Sequence, residues 1–230
     1  MKNLFLLPTI TFFFWACSPQ GENIDVSVSR DSLADTLTRK YTPLPPTISP
    51  ENKKLRAGLD EIYNSDQSIR YKYIEAEKKY GHDAKETKAI FPEWRRIDSV
   101  NTIKIISFLD TYGWPGASEI GEQGNSALFL VIQHSDIAIQ DKYLPMMRKA
   151  VAENRARASD LALLEDRVLL EHGKKQLYGS QVELDTVTKK YKLSPIEDEP
   201  NVNIRRASVG LEPLEDYVKG WDIKYVLPGK

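Results

Sequence analysis

From residue 50 onward, apolar residues return every three or four positions through most of the chain, the spacing of amphipathic helices. Leu55, Leu59, Ile62, Tyr63, Ile69, Tyr73 and Ile74 trace the first stripe. It opens at Ser49-Pro50-Glu51, where a capping residue precedes a proline suited to the first helical position, and Gly81 stops it. Asp83 is placed to cap a second segment, which Phe91-Pro92 breaks or restarts. Trp94, Ile97, Val100, Ile103, Ile106, Phe108 and Leu109 trace a longer helix ended by Gly113. Gly113-Trp114-Pro115-Gly116 cannot continue it, so Ser118 or Asn125 caps the next. Within that helix Ala127–Ile132 is apolar without a break, which predicts burial on all sides. Gln133, His134, Asp136 and Gln140 follow at once, and if buried they need partners or water. The pattern kinks or restarts near Asp136, and Tyr143–Val151 continues it through Pro145. Ser159 or Asp160 opens a further helix, with Leu161, Leu164, Val168 and Leu169 on one face and Gly173 at its end.

Only Gln176–Leu193 departs from the helical period. Val182, Leu184, Thr186, Val187 and Thr188 point there to a short extended or hairpin segment. Short helices around Ile204–Ser208 and Glu212–Lys219 close the chain. The expectation is a mainly α fold: one compact multi-helix domain over 50–230, with long irregular loops and a short β-hairpin near 176–193.

Composition narrows the function classes. The 230 residues are 41% hydrophobic and 28% charged, enough for one good core. With 32 basic against 33 acidic side chains, net charge -1, the chain has no electrostatic footprint for nucleic acid. Nothing recurs at a fixed period, and no apolar run is long enough to span a bilayer. The first residues add a location. Lys2 and the apolar Leu4 to Trp15 have the form of a signal peptide, and Ala16-Cys17-Ser18 resembles the cleavage and lipidation site of bacterial lipoproteins. That makes 1–16 the leader and Cys17 the lipidated residue, with 17–49, rich in Ser, Thr, Asp and Pro, as a tether. Cys17 is the only cysteine, so lipidation leaves no thiol for a disulfide, a metal or a nucleophile. Ser18 in second place resembles the outer-membrane sorting pattern. The expected place is the cell envelope, on the outer membrane facing the periplasm or the cell surface, with the membrane engaged through Cys17.

Several motifs carry a wider resemblance. Gly113-Trp114-Pro115 with Ser118 and Gly121, Gln133-His134 with Asp136 and Gln140, and Asp166-Arg167 come first. Gln176, Tyr178-Gly179 and Gln181 follow, then Arg205-Arg206 and Gly210-Leu211, with Asp66-Gln67 and Arg70 as an early member of the set. Together they resemble a widespread bacterial family of unknown function, over about Asp66 to Tyr217. Ser180 stands where that family has Thr, and Asn203 where it has an acid before the arginine pair. The resemblance implies homology and a set of candidate positions, and no activity.

Read for chemistry, His134 is the first candidate, since imidazole titrates near neutral pH. Against that stands a core histidine bonded to a glutamine or a backbone carbonyl. Gln133, Gln140, Gln176, Tyr178 and Gln181 either order loops or form a neutral pocket for a sugar, peptide or amide. Asp136, two residues from His134, is placed to cap the next helix. Asp66 and Arg70, four apart, fit a local ion pair. Arg205 and Arg206 fit a carboxylate or phosphate clamp, or a pair in which one guanidinium meets a buried acid such as Asp98 or Asp166. Trp114 either plugs the core or stacks on a ligand ring.

No H-x3-H, HExxH, P-loop, G-x-S-x-G or dinucleotide fingerprint is present, so no metal and no cofactor is expected. The first expectation is a lipid-anchored binding or interaction module, its partner a small polar ligand or an envelope protein. Its polar pocket would draw on Trp114, Gln133, Asp136, Gln140, Gln176, Gln181, Arg205 and Arg206. The alternatives are a hydrolase or lyase with His134 as base and Tyr178 or an arginine steadying charge, and a purely structural envelope protein. Geometry separates them: the enzyme needs His134 on an open cleft, whereas the structural protein needs it sealed and satisfied.

Overall fold

The computed structural model describes residues 50–185, 187–188 and 190–229. The expected leader, Cys17 and the tether fall outside the described residues, as does Ser49. The fold is mainly α-helical, and among the described residues the strands form one two-stranded antiparallel hairpin.

Helix α1 (Pro50–Tyr80) runs the length of the predicted stripe, and α2 (Lys85–Lys88) is a single turn before α3 (Phe91–Tyr112), which starts on Pro92. α4 (Ala117–His134) is packed between α1 and α3 and also meets α6 (Ala158–Glu171). α5 (Ile137–Ala152) packs on α6. Every residue from Ala127 to Ile132 is buried, and this run is the centre of the main core, with Leu59, Ile105, Leu109, Met147 and Leu164 around it. At about 1.5–3 kcal/mol per large apolar side chain fully buried, such a run is enough to fix α4 as the axis of the fold.

The cap of α4 differs from expectation. Gly116, not Ser118 or Asn125, holds the N-cap position, and its N–H donates to the Glu119 carboxylate at 2.9 Å. Asn125 lies inside the helix and ties the Gly-Trp-Pro-Gly turn down, donating to Pro115 O and Arg155 O, both at 2.9 Å. Gly121 at φ +81° then kinks α4, and the Arg56 guanidinium lies beside it, in ordinary contact at 3.5 Å from where a Cβ would stand. Asp136 caps α5 as expected from its spacing: its carboxylate accepts from Ile139 N–H at 3.1 Å.

In α3 the inward line is Asn101, Ile105 and Leu109, while Val100 and Ile103 are exposed. Asn101 is kept inside by its bonds to Ser65 Oγ (3.0 Å) and Ile62 O (3.5 Å) on α1.

After α6 the chain turns irregular until the hairpin β1 (Val182–Leu184) and β2 (Tyr191–Leu193), paired Val182 to Leu193 and Leu184 to Tyr191. α7 (Val202–Ser208) and α8 (Leu214–Tyr217) follow, and a 3-10 turn at Val218–Trp221 leads to the C-terminal residues. Ile196, Val202, Leu214 and Val218 form a second small core there. Gly179, at φ +69°, is pressed against it: an added Cβ would stand 3.0 Å from Ile196 Cδ1 and both Leu214 methyls. Gly179→Ala therefore combines a left-handed backbone with overpacking. Thermal denaturation should show a loss of about 2–3 kcal/mol.

Candidate functional site

α1, α3 and α4 bring four charged or titratable side chains together at the C-terminal end of α4. Asp66 of α1 is 1% exposed and accepts from three neighbours: Arg70 at 2.8 Å, Gln67 at 2.8 Å and His134 Nδ1 at 3.3 Å. Arg70 also reaches Asp98 of α3 at 3.1 Å and lies over the Trp94 ring, 5.2 Å from its centre. The partner of His134 is thus a carboxylate 68 positions away, rather than a glutamine or a backbone carbonyl. Arg70 and His134 side chains keep 11% exposure each, and Asp98 keeps 26%. His134 Nε2 makes no hydrogen bond to a described residue, nor is it one of the sealed, unpartnered atoms. The imidazole is clamped on one side and offers its other nitrogen at the rim.

Electrostatics sets the protonation states. Burial pushes the His134 pKa below 6.5, Arg70 adds to that, and Asp66 and Asp98 oppose it. Burial alone would raise Asp66, but the His134 and Arg70 charges and their bonds hold it below 3.8. Burial raises Asp98 despite Arg70. At neutral pH the corner therefore holds a carboxylate at Asp66, a guanidinium at Arg70 and a neutral imidazole.

The sign of the pH dependence follows. Below pH 6.5 the unfolded chain takes a proton at this histidine more readily than the folded protein, so stability is full above that value and falls as pH drops through it towards the lower folded value. Denaturant melts from pH 8 to pH 5 should show this loss, and His134→Gln should remove that component of it.

The remaining motif residues are engaged in holding loops. Gln140 Nε2 donates to Gln133 O (3.2 Å) and Ser135 O (2.8 Å), fixing the α4–α5 corner. Gln133 is 1% exposed; its Nε2 reaches Leu163 O at 3.5 Å and its Oε1 is sealed without a partner. Gln181 Nε2 points to the same Leu163 carbonyl at 3.5 Å and to Ser180 Oγ at 2.9 Å. Gln176 pins the hairpin base, donating to Gln181 O and Ser194 O and accepting from Gln181 N–H. Trp114 is 3% exposed and sits in the main core.

The arginine pair does not meet a buried acid. Arg206, fully buried, donates to Glu212 O at 2.6 Å and Tyr178 O at 2.7 Å and stacks on Tyr217. Arg205 holds Leu177 O and the Glu197–Asp198 backbone, with Asp198 as its carboxylate. Asp98 goes to Arg70, and Asp166 to backbone N–H groups.

Tyr178 is half-buried, with Glu165, Asp166 and Arg205 as its electrostatic neighbours, whereas those of His134 are Asp66, Arg70 and Asp98. The structure thus pairs His134 with Arg70, not with Tyr178 or Arg205-Arg206. Asp98 is the member of the corner that the motif pattern did not place beside His134. Its only signal in the sequence was an acid on the same helix as Trp94, one turn on.

Among the described residues, hollows also form elsewhere, one of about 460 Å³ between α1 and α3, lined by Leu55, Leu59, Phe108 and Tyr112, and another of about 390 Å³ near the C-terminus. Among the described residues, no group of three or more His, Cys, Asp or Glu is placed to hold a metal ion, and no helix is long and apolar enough to cross a membrane.

Fold and site together define a mainly α-helical domain with a buried Asp–Arg–His network at the end of its central helix. The chain belongs to a family of unknown function, DUF6624, whose model matches residues 53–230. No curated protein and no solved structure matches the chain.

Proposed function

We propose that the protein is a binding or interaction module of the cell envelope, tethered by lipid on Cys17, that recognises a small polar ligand or an envelope protein at the His134 corner. The observation that carries this is the network itself. The Asp66 carboxylate and the Arg70 guanidinium are withdrawn from water, with Asp98 at the edge, beside an imidazole whose outer nitrogen stays at the rim. Burying charge is costly, and an apolar corner of equal volume is often as stable or more so. Perturbed titratable groups gathered at a partly open point are the usual mark of a recognition or reaction site.

The test is a ligand screen by thermal shift on the full chain and on His134→Gln, which keeps a donor for Asp66. Ligands should raise the melting temperature of the wild type by several degrees, as binding linkage requires, and fail to do so in the variant. Equal responses in the two proteins would overturn the proposal.

One observation favours a second reading, in which His134 is a general base of a hydrolase or lyase. Asp66 holds Nδ1, which leaves Nε2 as the free base, and burial keeps the ring neutral at pH 7. Ester and amide panels would then give a rate that persists below pH 6.5 and vanishes in His134→Gln. A rate unchanged by that substitution excludes it.

A further inference from the structure

The face of α1 that carries Asp66 and Arg70 continues through Tyr73 to Glu77, about 16 Å further along at roughly 1.5 Å per residue. There Glu77 and His82 Nδ1 meet at 3.0 Å, and the Tyr73 hydroxyl lies 2.9 Å from the same ring nitrogen. The aromatic corner of Tyr73, Phe91 and Trp94 stands between this group and Arg70. Beside Glu77 the 390 Å³ hollow opens, walled by Lys78, Tyr191, Lys219, Trp221 and Asp222. Its volume lies in the range of small-ligand sites, about 300–1,000 Å³.

We infer that this hollow is a saccharide-binding site, separate from the His134 corner. Its charges cancel, Glu77 and Asp222 against Lys78 and Lys219, so a ligand of high net charge has no advantage there. Lys219 is moreover already taken by Asp216 at 2.6 Å, which leaves a carboxylate ligand only Lys78 to meet. Tyr191 and Trp221 contribute aromatic surface suited to the C–H face of a pyranose. Asp222 accepts from ring hydroxyls, as does Oε2 of Glu77, the oxygen not held by Tyr73 and His82, and Lys78 donates to them. An aliphatic ligand has no use for this mixture of donors and acceptors, and a zwitterion has Lys78 alone for its carboxylate.

The experiment is saturation-transfer NMR on the full chain, with cellobiose and N,N′-diacetylchitobiose as probes and alanylalanine as the zwitterionic comparison. Saturation should reach the pyranose ring protons. The affinity should fall about tenfold or more in Trp221→Leu and Glu77→Gln, the loss expected of one removed ligand contact. Asp222→Asn, on an exposed side chain, should weaken binding likewise and keeps the test decisive if Trp221→Leu loosens the corner. Binding unchanged in His134→Gln separates this site from the one proposed above. Saturation of neither disaccharide, transfer to the dipeptide alone, or sugar binding that survives all three substitutions would overturn the inference.

Discussion

Replacing Asp66 by alanine should cost about 3–5 kcal/mol, the range for breaking a buried ion pair from one side. The reason is what the substitution leaves behind. Arg70, 11% exposed, keeps the Asp98 carboxylate at 3.1 Å and the Asp66 backbone carbonyl at 2.8 Å, but loses the stronger of its two acids. His134 loses the acceptor for Nδ1 inside a site that already disfavours its charged form. Asp66→Asn retains an acceptor for Arg70 and should cost roughly half as much, since only the charge is removed. Denaturant melts at pH 7 give both numbers. The histidine resonances add a local check. Asp66 is the largest influence holding the His134 pKa up, so Asp66→Ala should push it lower still, whereas Arg70→Ala should raise it. A melt of Asp66→Ala superposable on the wild type would mean that the network contributes nothing to the fold.

Helix positions were legible in the sequence because they rest on local rules. The stripe from Leu55 to Ile74, the stop at Gly81, the Pro92 start, the break at Gly113 and the restart at Asp136 all reflect the periodicity or backbone chemistry of neighbouring residues. The α4 cap was misplaced because glycine carries no side chain to announce a cap, and Ser118 does. On α3, Val100 and Ile103 extend the apolar period but face outward, while Asn101 is turned inward by Ser65 on another helix. That preference depends on a contact 36 positions away, which no window along the chain contains.

The site was legible as a set of residue types but not as a set of pairs. His134, Asp66 and Arg70 were all marked by their motifs, yet the approach of Asp66 to His134 depends on how α1 packs against α4. Arg205 and Arg206 have the chemistry of an anion clamp. Their fork geometry suits carbonyl oxygens equally, and the irregular stretch after α6 supplies carbonyls that no helix or sheet satisfies. Demand of that kind from the backbone leaves no trace in residue type.

The same demand makes Asp166→Ala the second large effect. Asp166 is fully buried, and its carboxylate accepts from Leu177 N–H at 2.6 Å, Tyr178 N–H at 2.9 Å and Ser180 N–H at 2.9 Å. Alanine strands three backbone donors in a segment whose carbonyls are already committed to Arg205 and Arg206, so the loop has no ready way to re-pair them. At about 1–3 kcal/mol for each buried donor left unmade, and with water reaching the half-buried Leu177 and Tyr178, the net cost should be about 3–5 kcal/mol. For a domain of this size that corresponds to a fall in Tm on the order of 10 °C. Hydrogen exchange gives the local reading: protection should be lost first at the amides of residues 177, 178 and 180. The acid limb distinguishes this carboxylate from Asp66. Burial raises the Asp166 pKa above 3.8 although the three backbone bonds pull it back, so the folded protein takes this proton more readily than the unfolded chain. Its burial cost is therefore present at neutral pH and relieved as pH falls through the folded value towards 3.8. Asp66, held below 3.8, does the opposite: its contribution is complete above that pH and is lost only as pH falls through the lower folded value. As pH falls from 6.5 towards 4, the penalty for Asp66→Ala should thus follow the His134 proton, which Asp66 favours in the folded protein, while that for Asp166→Ala follows the proton of its own carboxylate. Penalties that moved together across that range would show that the two acids titrate alike and that the contrast in their surroundings does not govern them.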